Sequence, residues 1–261
     1  MGLPTYEFDL HTHTIASGHG SGATLTDMAK AAKAAGLRMV GISDHGPATP
    51  GGGRPSYFMS LAHARRERLG VSFLYGAEAN IINMEGKLDL EDKILKDLDF
   101  CIASMHRPSI RPGSREENTR AYIRAMQNPY VKIIGHCDDE SFPVDVFALF
   151  DAARKRHVLL EINDSSLRPD GYRGDARFTD LAILHLSKHF QYPVLFSSDS
   201  HGTAHIGDFA CAKRAADSAE VPESLILNYS AAALFGFWRE SCGASPLRMA
   251  APHMPEGNAP L

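Results

Sequence analysis

Short runs of apolar and β-branched residues alternate along this chain with segments of helical periodicity, and this alternation constrains the fold most. The apolar runs predict seven strands, at Tyr6–Leu10, Arg38–Ser43, Val71–Ala77, Phe100–Ser104, Val131–Gly135, Val158–Ile162 and Val194–Ser198. The intervening patterns predict helices at Leu25–Ala35, Phe58–Leu69, Arg115–Gln127, Val144–Lys155, Arg177–Phe190 and Asp208–Ala219. Strands that alternate with helices form parallel β-α units, and seven or eight such units in one domain form a closed barrel.

The first predicted helix carries the clearest boundary signals. Thr24 is a candidate N-cap with Asp27 three residues later, and Gly36 follows as a terminator. The alternative fold, an open doubly wound sheet, is disfavoured because no glycine-rich phosphate loop follows the first strand. The sequence therefore predicts an α/β barrel.

Chain length and composition set the domain organisation. A chain of 261 residues can bury one large core, so residues 1–240 are predicted to form a single domain. Residues 241–261 are rich in proline, glycine and alanine and lack periodicity, which predicts a flexible C-terminal tail.

Charge and hydropathy narrow the classes of partner. The formal net charge of −4 argues against binding nucleic acid through a broad basic face. No apolar run approaches the roughly 20 residues needed to span a bilayer, and no signal peptide is evident, so a cytoplasmic location is expected. The four cysteines form no C-x-x-C pair and are predicted to be reduced thiols: Cys101, Cys137, Cys211 and Cys242. The oligomeric state is left open.

Each predicted strand is followed by residues of metal-binding or polar type. These are His11 and His13, Asp44 and His45, Glu78, His106, His136, Asn163, and finally Asp199 and His201. In a parallel barrel all strands end on one face, so residues far apart in sequence are expected to meet there. His11 and His13, like Asp199 and His201, are two residues apart, a spacing that points both side chains the same way in an extended backbone.

A cluster of imidazoles and carboxylates without thiolates suits zinc, iron or manganese. Each histidine taken alone would be a polar residue at a strand end, but a buried cluster without cations would be costly to desolvate. Four other histidines lie in surface or structural contexts: His63, His157, His205 and His253. His185 and His189 have the spacing of a helical metal pair, yet no glutamate follows His185, so an exposed helix face is predicted.

These residues lie in segments that resemble the PHP (polymerase and histidinol phosphatase) domain, in particular the small YcdX-like metal-dependent phosphoesterases. The segments are DLHTHTIASGH (9–19), SDHGP (43–47), GAEANI (76–81), SMH (104–106), GH (135–136), EINDSS (161–166) and SDSH (198–201). The resemblance runs from about Tyr6 to about Phe237 and implies a distorted TIM-like (β/α)7 barrel with three divalent metal ions. Zinc is the expected metal, with manganese or iron as alternatives.

The resemblance also implies an assignment of ligands to the three ions. One ion would be bound by His11, His13, Glu78 and Asp199, and a second by Glu78, His106 and His136. The third would be bound by His19, His45 and His201, with His19 selected by the resemblance alone. Two departures affect expected substrate contacts: Cys137 follows His136 where the family often has proline, and Arg107 follows His106.

The implied reaction is hydrolysis of a small-molecule phosphoester by in-line attack of metal-bound hydroxide. Three divalent ions carry a charge of roughly +6 that suits phosphate, and they lower the pKa of bound water to about 7. Glu78, Asp199 and His201 are the predicted catalytic residues, with His201 or the third ion assisting the leaving oxygen. Arg107 and Asn163 are predicted substrate contacts, and Asp9 and Asp44 are candidates to orient ligand imidazoles.

Three rival functions remain open. A histidinol-phosphatase-like enzyme shares these motifs, and an amidohydrolase-type enzyme shares the barrel but commonly uses a modified strand-end lysine, whereas Lys132 lies at a strand entrance here. A catalytically inert, metal-stabilised binding module would be expected to lose ligands, and none is lost.

Overall fold

Seven parallel strands form a nearly closed barrel in the computed structural model, which describes residues 5–241. They are β1 (Phe8–Asp9), β3 (Met39–Ile42), β5 (Val71–Asn80), β6 (Phe100–Ser104), β7 (Val131–Ile134), β8 (Leu159–Asn163) and β9 (Leu195–Ser197), hydrogen-bonded in that order. Beyond β1 and β9 the chain forms two short strands, β2 (Thr12–His13) and β10 (Ser200–His201), that pair in parallel with each other. This pairing joins the first and last strands at the carboxyl end, and the predicted distorted (β/α)7 barrel is confirmed.

The first six helices lie between strands, as the alternation predicts, and two more follow the last strand. They are α1 (Leu25–Ala34), α2 (Pro55–Leu61), α3 (Asp92–Leu95), α4 (Arg115–Ala125), α5 (Val146–Arg156), α6 (Arg177–Phe190), α7 (Ala210–Ser218) and α8 (Ala231–Ser241). At α1 the predicted capping box is present, with Thr24 and Asp27 exchanging side-chain to backbone hydrogen bonds. Gly36 follows with a φ of 79°, which a residue with a side chain rarely adopts.

The prediction of one helix over Phe58–Leu69 is wrong. The helix α2 ends at Leu61, and Glu67–Arg68 instead form the short strand β4, antiparallel to β5. Leu69 and Gly70, which join β4 to β5, have φ values of 56° and 81°. Two consecutive positive φ angles are typical of a tight two-residue hairpin turn, so pairing with the sheet overrides the helical pattern of this segment.

Two apolar cores hold the barrel together. The larger lies between the sheet and the surrounding helices. The smaller fills the barrel interior with residues such as Phe8, Leu74 and Phe100, and includes Trp238 from α8. The Trp238 ring is fully buried and stacks on the Phe100 ring at 6.1 Å between centroids. Since Phe8 and Phe100 begin their strands, α8 closes the amino end of the barrel, opposite the predicted site.

Some predictions fall partly outside the described residues. The predicted tail, with Cys242 and His253, lies beyond them except for Ser241, which ends α8, so the domain boundary stays a prediction. Cys101, Cys137 and Cys211 are free thiols as predicted. Among residues 5–241, no helix has both the length and the apolar character needed to cross a bilayer.

Candidate metal centre

The predicted ligands converge at the carboxyl end of the barrel, around Glu78 near the end of β5. Its side chain is fully buried. Oε2 of Glu78 faces three imidazoles and Oε1 faces two, at distances of 3.4 Å (His11), 3.6 Å (His13), 2.6 Å (His45), 3.3 Å (His106) and 2.8 Å (His136). The two oxygens therefore face different groups of histidines, which is the arrangement a bridging carboxylate requires.

The register of the barrel closure explains why the first and last strands contribute together. His13 of β2 lies directly beside His201 of β10, and their ring centroids are 4.2 Å apart. His11 and His13 also face the same site, as their spacing predicts, with ring centroids 5.0 Å apart. Asp199 reaches the same place, with Oδ1 at 3.2 Å from Nε2 of His13 and 3.6 Å from Nε2 of His11.

Three of these imidazoles make a hydrogen bond through Nδ1, the ring nitrogen that points away from the centre of the site, and this bond fixes their tautomer. Nδ1 of His11 lies 2.6 Å from Oε1 of Glu161, and Nδ1 of His106 lies 2.8 Å from Oδ1 of Asn80. Nδ1 of His13 lies 2.9 Å from the Ser17 hydroxyl, which gives its own proton to Asp44 and so accepts from the imidazole. With the proton on Nδ1 in each case, the neutral ring presents the lone pair of Nε2 to the centre of the site.

The Nε2 atoms of His11, His13 and His106 are buried without hydrogen-bond partners, as are Oε2 of Glu78 and Oδ1 of Asp199. Lone pairs that face one another in a buried site repel unless a cation lies between them. Ligand atoms held 2.0–2.1 Å from a tetrahedral zinc are about 3.3 Å apart. The Nε2 atoms of His11 and His13 lie 3.2 to 3.6 Å from Oε2 of Glu78 and Oδ1 of Asp199, which matches that spacing, whereas Nδ1 of His45 lies closer to Oε2, at 2.6 Å. The donor set therefore fits divalent metal ions.

Charge states in the site also suit metal binding. Burial raises the pKa of Glu78, but the imidazoles of His106, His45 and His11 outweigh it and hold that pKa well below its usual range. Burial lowers the pKa of His106 to about 4. Burial, with His45 and His201, holds the pKa of His13 well below its ordinary value. His11 differs: burial lowers its pKa, but Glu161, Asp199 and Glu78 together raise it, so a metal ion binding there would displace a proton.

The third predicted group, His19, His45 and His201, lies nearer the surface. The His19 ring centroid is 4.9 Å from that of His45 and 5.0 Å from that of His201. Three sets of residues bring their ligand atoms within 4.8 Å of one another: His13, His45 and His201; His11, His13 and Glu78; and His45, Glu78 and His106. These sets overlap through His13, His45 and Glu78, so the division of nine residues among three ions stays a prediction.

A cavity of about 670 Å³ opens above the cluster. His19, His45, His106, Asp199 and His201 reach its wall, and its rim includes Arg107, Asp139, Arg168, Asp170, Tyr172, Arg173 and His205. This volume falls within the range of about 300–1,000 Å³ that is usual for small-molecule sites. The predicted site residues thus lie at the base of a cavity that can admit a small substrate.

The predicted substrate contacts differ in position. Arg107 lines the cavity and donates from Nε and Nη2 to the Ser141 hydroxyl at 3.0 and 2.9 Å. Asn163 is fully buried below it, and its amide nitrogen donates to Oε2 of Glu161 at 3.0 Å and to Oδ2 of Asp199 at 3.3 Å. The predicted substrate contacts of both residues stay predictions. The two hydrogen bonds of Asn163 show that it orients the carboxylates of Glu161 and Asp199.

Glu161, Asn80 and Ser17 hydrogen-bond imidazoles of the cluster, a role that was not predicted from the sequence. Glu161 and Asn80 each lie two residues from a predicted site residue on the same strand, Asn163 and Glu78, so the period of the strand was a usable signal. Asp44 accepts a hydrogen bond from the Ser17 hydroxyl, which in turn contacts His13. It also accepts a short hydrogen bond of 2.5 Å from the Tyr57 hydroxyl. Asp9 accepts hydrogen bonds from the backbone N–H of His11, from Ser198 and from the backbone N–H of Gly207, so it supports the backbone beside the site.

The remaining described histidines lie outside the cluster. His63, His185 and His189 are exposed, and the predicted exposed helix face of the last two is confirmed. His157 is exposed at the end of α5, and His205 is exposed at the rim of the cavity. None of these five histidines contributes a side chain to the cluster around Glu78.

Comparison with known proteins decides the family. Residues 9–165 match the family model of the PHP domain. The chain belongs to the PHP domain family. A probable phosphatase of Clostridium novyi is 39% identical over 85% of this chain and 90% of the relative. A probable phosphatase of Caldanaerobacter subterraneus is 40% identical over 85% of this chain and 87% of the relative.

Solved structures support the PHP-type barrel. A histidinol phosphate phosphatase of Lactococcus lactis, solved with zinc, L-histidinol and phosphate, superposes with a TM-score of 0.60 at 16% identity. The match covers 84% of this chain and 95% of that protein. A putative histidinol phosphatase of Listeria monocytogenes superposes with a TM-score of 0.56 at 18% identity, over 77% of this chain and 97% of that protein. At these identities the likeness establishes the fold.

Proposed function

We propose that this PHP-family protein is a metal-dependent phosphatase that hydrolyses phosphate esters of small molecules at a site for three divalent ions. One observation carries the proposal: buried Nε2 atoms of three histidines and single oxygens of Glu78 and Asp199 converge without partners. Relatives at 39–40% identity named probable phosphatases support the same reaction class.

Nine residues would hold the ions. They are His11, His13, His19, His45, Glu78, His106, His136, Asp199 and His201. Glu78 would bridge two ions because its two oxygens face separate groups of imidazoles. A donor set of imidazole and carboxylate without thiolate suits zinc, and also manganese or iron. When bound, such ions lower the pKa of a coordinated water and neutralise charge on phosphoryl oxygens.

The chain's own groups would bind and orient the substrate above this cluster. His201, with 22% of its side chain exposed, reaches the cavity wall, where it would assist departure of the leaving oxygen by helping to hold an ion there. The guanidinium of Arg107 at the rim would bind phosphate oxygens that the cluster leaves free. Asn163 would act from below by holding Asp199 in place.

A histidinol-phosphatase-like activity is the second candidate. Asp139 and Asp170 line the cavity, and carboxylates there would attract the ammonium group of an amino alcohol phosphate. An amidohydrolase-type reaction has less support, because no lysine lines the cavity among the described residues and Glu78 occupies the bridging position. A catalytically inert binding module has less support, because all nine residues of the expected ligand set are present.

Elemental analysis of gently purified protein, combined with a panel of phosphoesters and carboxamides, tests the proposal. The panel includes L-histidinol phosphate and a phosphorylated sugar. We expect bound divalent metal and phosphate release, with both strongly reduced in Glu78→Gln and Asp199→Ala. The control is His185→Ala, which changes an exposed helix residue and should leave both unchanged. Stoichiometric metal without hydrolysis of any phosphoester would refute the proposal.

A further inference from the structure

The two carboxylate oxygens of Asp199 have different surroundings. Oδ1 has no hydrogen-bond partner and faces His13 and His11 at 3.2 and 3.6 Å from their Nε2 atoms. Oδ2 accepts a hydrogen bond from Nη2 of Arg173 at 2.7 Å and a longer one from the Asn163 amide at 3.3 Å. One oxygen is therefore left for a cation, and the other is engaged by the protein.

Arg173 is held in place from several sides. Only 4% of the residue is exposed, although it lies on the loop between β8 and α6. Its guanidinium donates to the Ser166 hydroxyl at 3.2 Å and to the Tyr172 hydroxyl at 2.8 Å. Ser166 in turn hydrogen-bonds to Asp138 at 3.1 Å, on the loop after β7. The guanidinium thus joins the loops that follow three neighbouring strands, β7, β8 and β9.

The backbone of Asp199 adds a reason why its side chain needs such support. Asp199 has a φ of 50°, in the left-handed region that residues other than glycine rarely adopt. Strain of this kind persists only where the surrounding structure holds the residue in place. The ion pair with Arg173 is buried on both sides, with 3% of each side chain exposed, so little solvent competes for the carboxylate.

We propose that Arg173 is a positioning residue that restricts Asp199 to a single metal-directed oxygen. This inference rests on the proposed function and deepens it. A charge-assisted hydrogen bond to a fixed guanidinium is stronger than a neutral one, so Oδ2 stays on Arg173 and only Oδ1 faces the cluster. The consequence is a coordination position that Asp199 leaves open, at the wall of the cavity where substrate enters.

Removing the guanidinium should therefore change the geometry with which Asp199 binds a metal ion, and not only the strength of binding. In Arg173→Met, Oδ2 keeps only the distant Asn163 amide and becomes free to turn towards the cluster. The carboxylate would then offer both oxygens and raise the coordination number. We expect kcat to fall by about 10–100-fold, the usual effect of losing an outer partner of a metal ligand, while KM changes by less than about threefold.

Visible absorption of the cobalt-loaded protein reports this change without reference to activity. The intensity of the Co²⁺ d–d bands falls as coordination expands beyond four, since geometry governs the spectrum. We expect weaker bands in Arg173→Met and partial return of both spectrum and kcat in Arg173→Lys, which keeps the charge and one donor nitrogen. Arg168→Met is the matched control, because Arg168 lies on the same loop and lines the same cavity but pairs with Asp164 and Asp208. It should keep the parent spectrum.

Other outcomes separate the possible failures. A parent protein that binds metal and hydrolyses phosphoesters, with an unchanged cobalt spectrum in Arg173→Met, would overturn this inference alone. A raised KM with that unchanged spectrum would identify Arg173 as a direct substrate contact instead. A parent that takes up no metal would overturn the proposed function and the inference together. Circular dichroism checks folding, and if Arg173→Met does not fold, Arg173→Gln gives the same readout.

Discussion

Replacing Glu161 by glutamine should reverse one hydrogen bond beneath the proposed metal site. Glu161 is buried, and its two oxygens accept from three groups: Nδ1 of His11 at 2.6 Å, the backbone N–H of His136 at 2.7 Å, and the Asn163 amide at 3.0 Å. The last two donors share Oε2. In the variant the amide oxygen is expected to stay with these two donors, which turns the amide NH₂ towards His11.

The magnitude follows from this reversal. If His11 keeps its proton on Nδ1, two donors face each other in a buried place, at a cost of about 1–3 kcal/mol. If the proton moves to Nε2, the ring loses the lone pair that faces Glu78 and Asp199. In both cases metal affinity should fall, by about 10–100-fold for a lost outer partner of a metal ligand, or about 1.4–2.7 kcal/mol.

Competition for Zn²⁺ with a chromophoric chelator measures the affinity of parent and variant. Glu85→Gln is the matched control, because it makes the same chemical change on a side chain that is 72% exposed and pairs with Arg124 instead of an imidazole. Thermal unfolding in excess chelator shows whether the metal-free variant still folds. Equal zinc affinity in Glu161→Gln and the parent would refute the claim that Glu161 sets the tautomer of His11.

Four further outcomes are expected. Arg107→Ala should raise KM for a phosphoester by about tenfold, the loss of one charged hydrogen bond, whereas Arg111→Ala should not. Trp238→Ala should lower the free energy of unfolding in urea by about 3–5 kcal/mol, as for other buried aromatic residues, because Trp238 is fully buried and stacks on Phe100. A decrease below about 1 kcal/mol would contradict its role in closing the barrel. Hydrolysis of a chiral thiophosphate ester should invert configuration at phosphorus, and retention would exclude direct in-line attack. Burial and the neighbouring Asp138 raise the pKa of the Asp180 carboxyl well above its usual value. As pH rises above about 4, Asp180 therefore loses its proton in the unfolded chain while it keeps it in the folded protein, and the folded protein becomes progressively less stable. Asp180→Asn should then be more stable than the parent at about pH 8 and lose this advantage near pH 4, as measured by thermal unfolding at both pH values.

Local sequence patterns predicted much of the fold and the position of much of the cluster. The alternation of strand-like and helix-like segments predicted the seven parallel strands, because connections between parallel strands need helices. The spacing of two between His11 and His13, and between Asp199 and His201, predicted side chains on one face because strands repeat every two residues. The hairpin that replaces the end of the predicted helix at Phe58–Leu69 was missed, because its stability comes from pairing with β5 and not from its own sequence.

The sequence by itself determined which residue types end each strand, and with them the position of the cluster on the barrel. Tertiary structure alone decided that His13 lies beside His201, that the oxygens of Glu78 face different imidazoles, and that Arg173 engages one oxygen of Asp199. These contacts depend on the register between strands distant in sequence and on the path of a long loop. Periodicity fixes which face a side chain occupies, whereas the closing of the barrel fixes which side chains meet there.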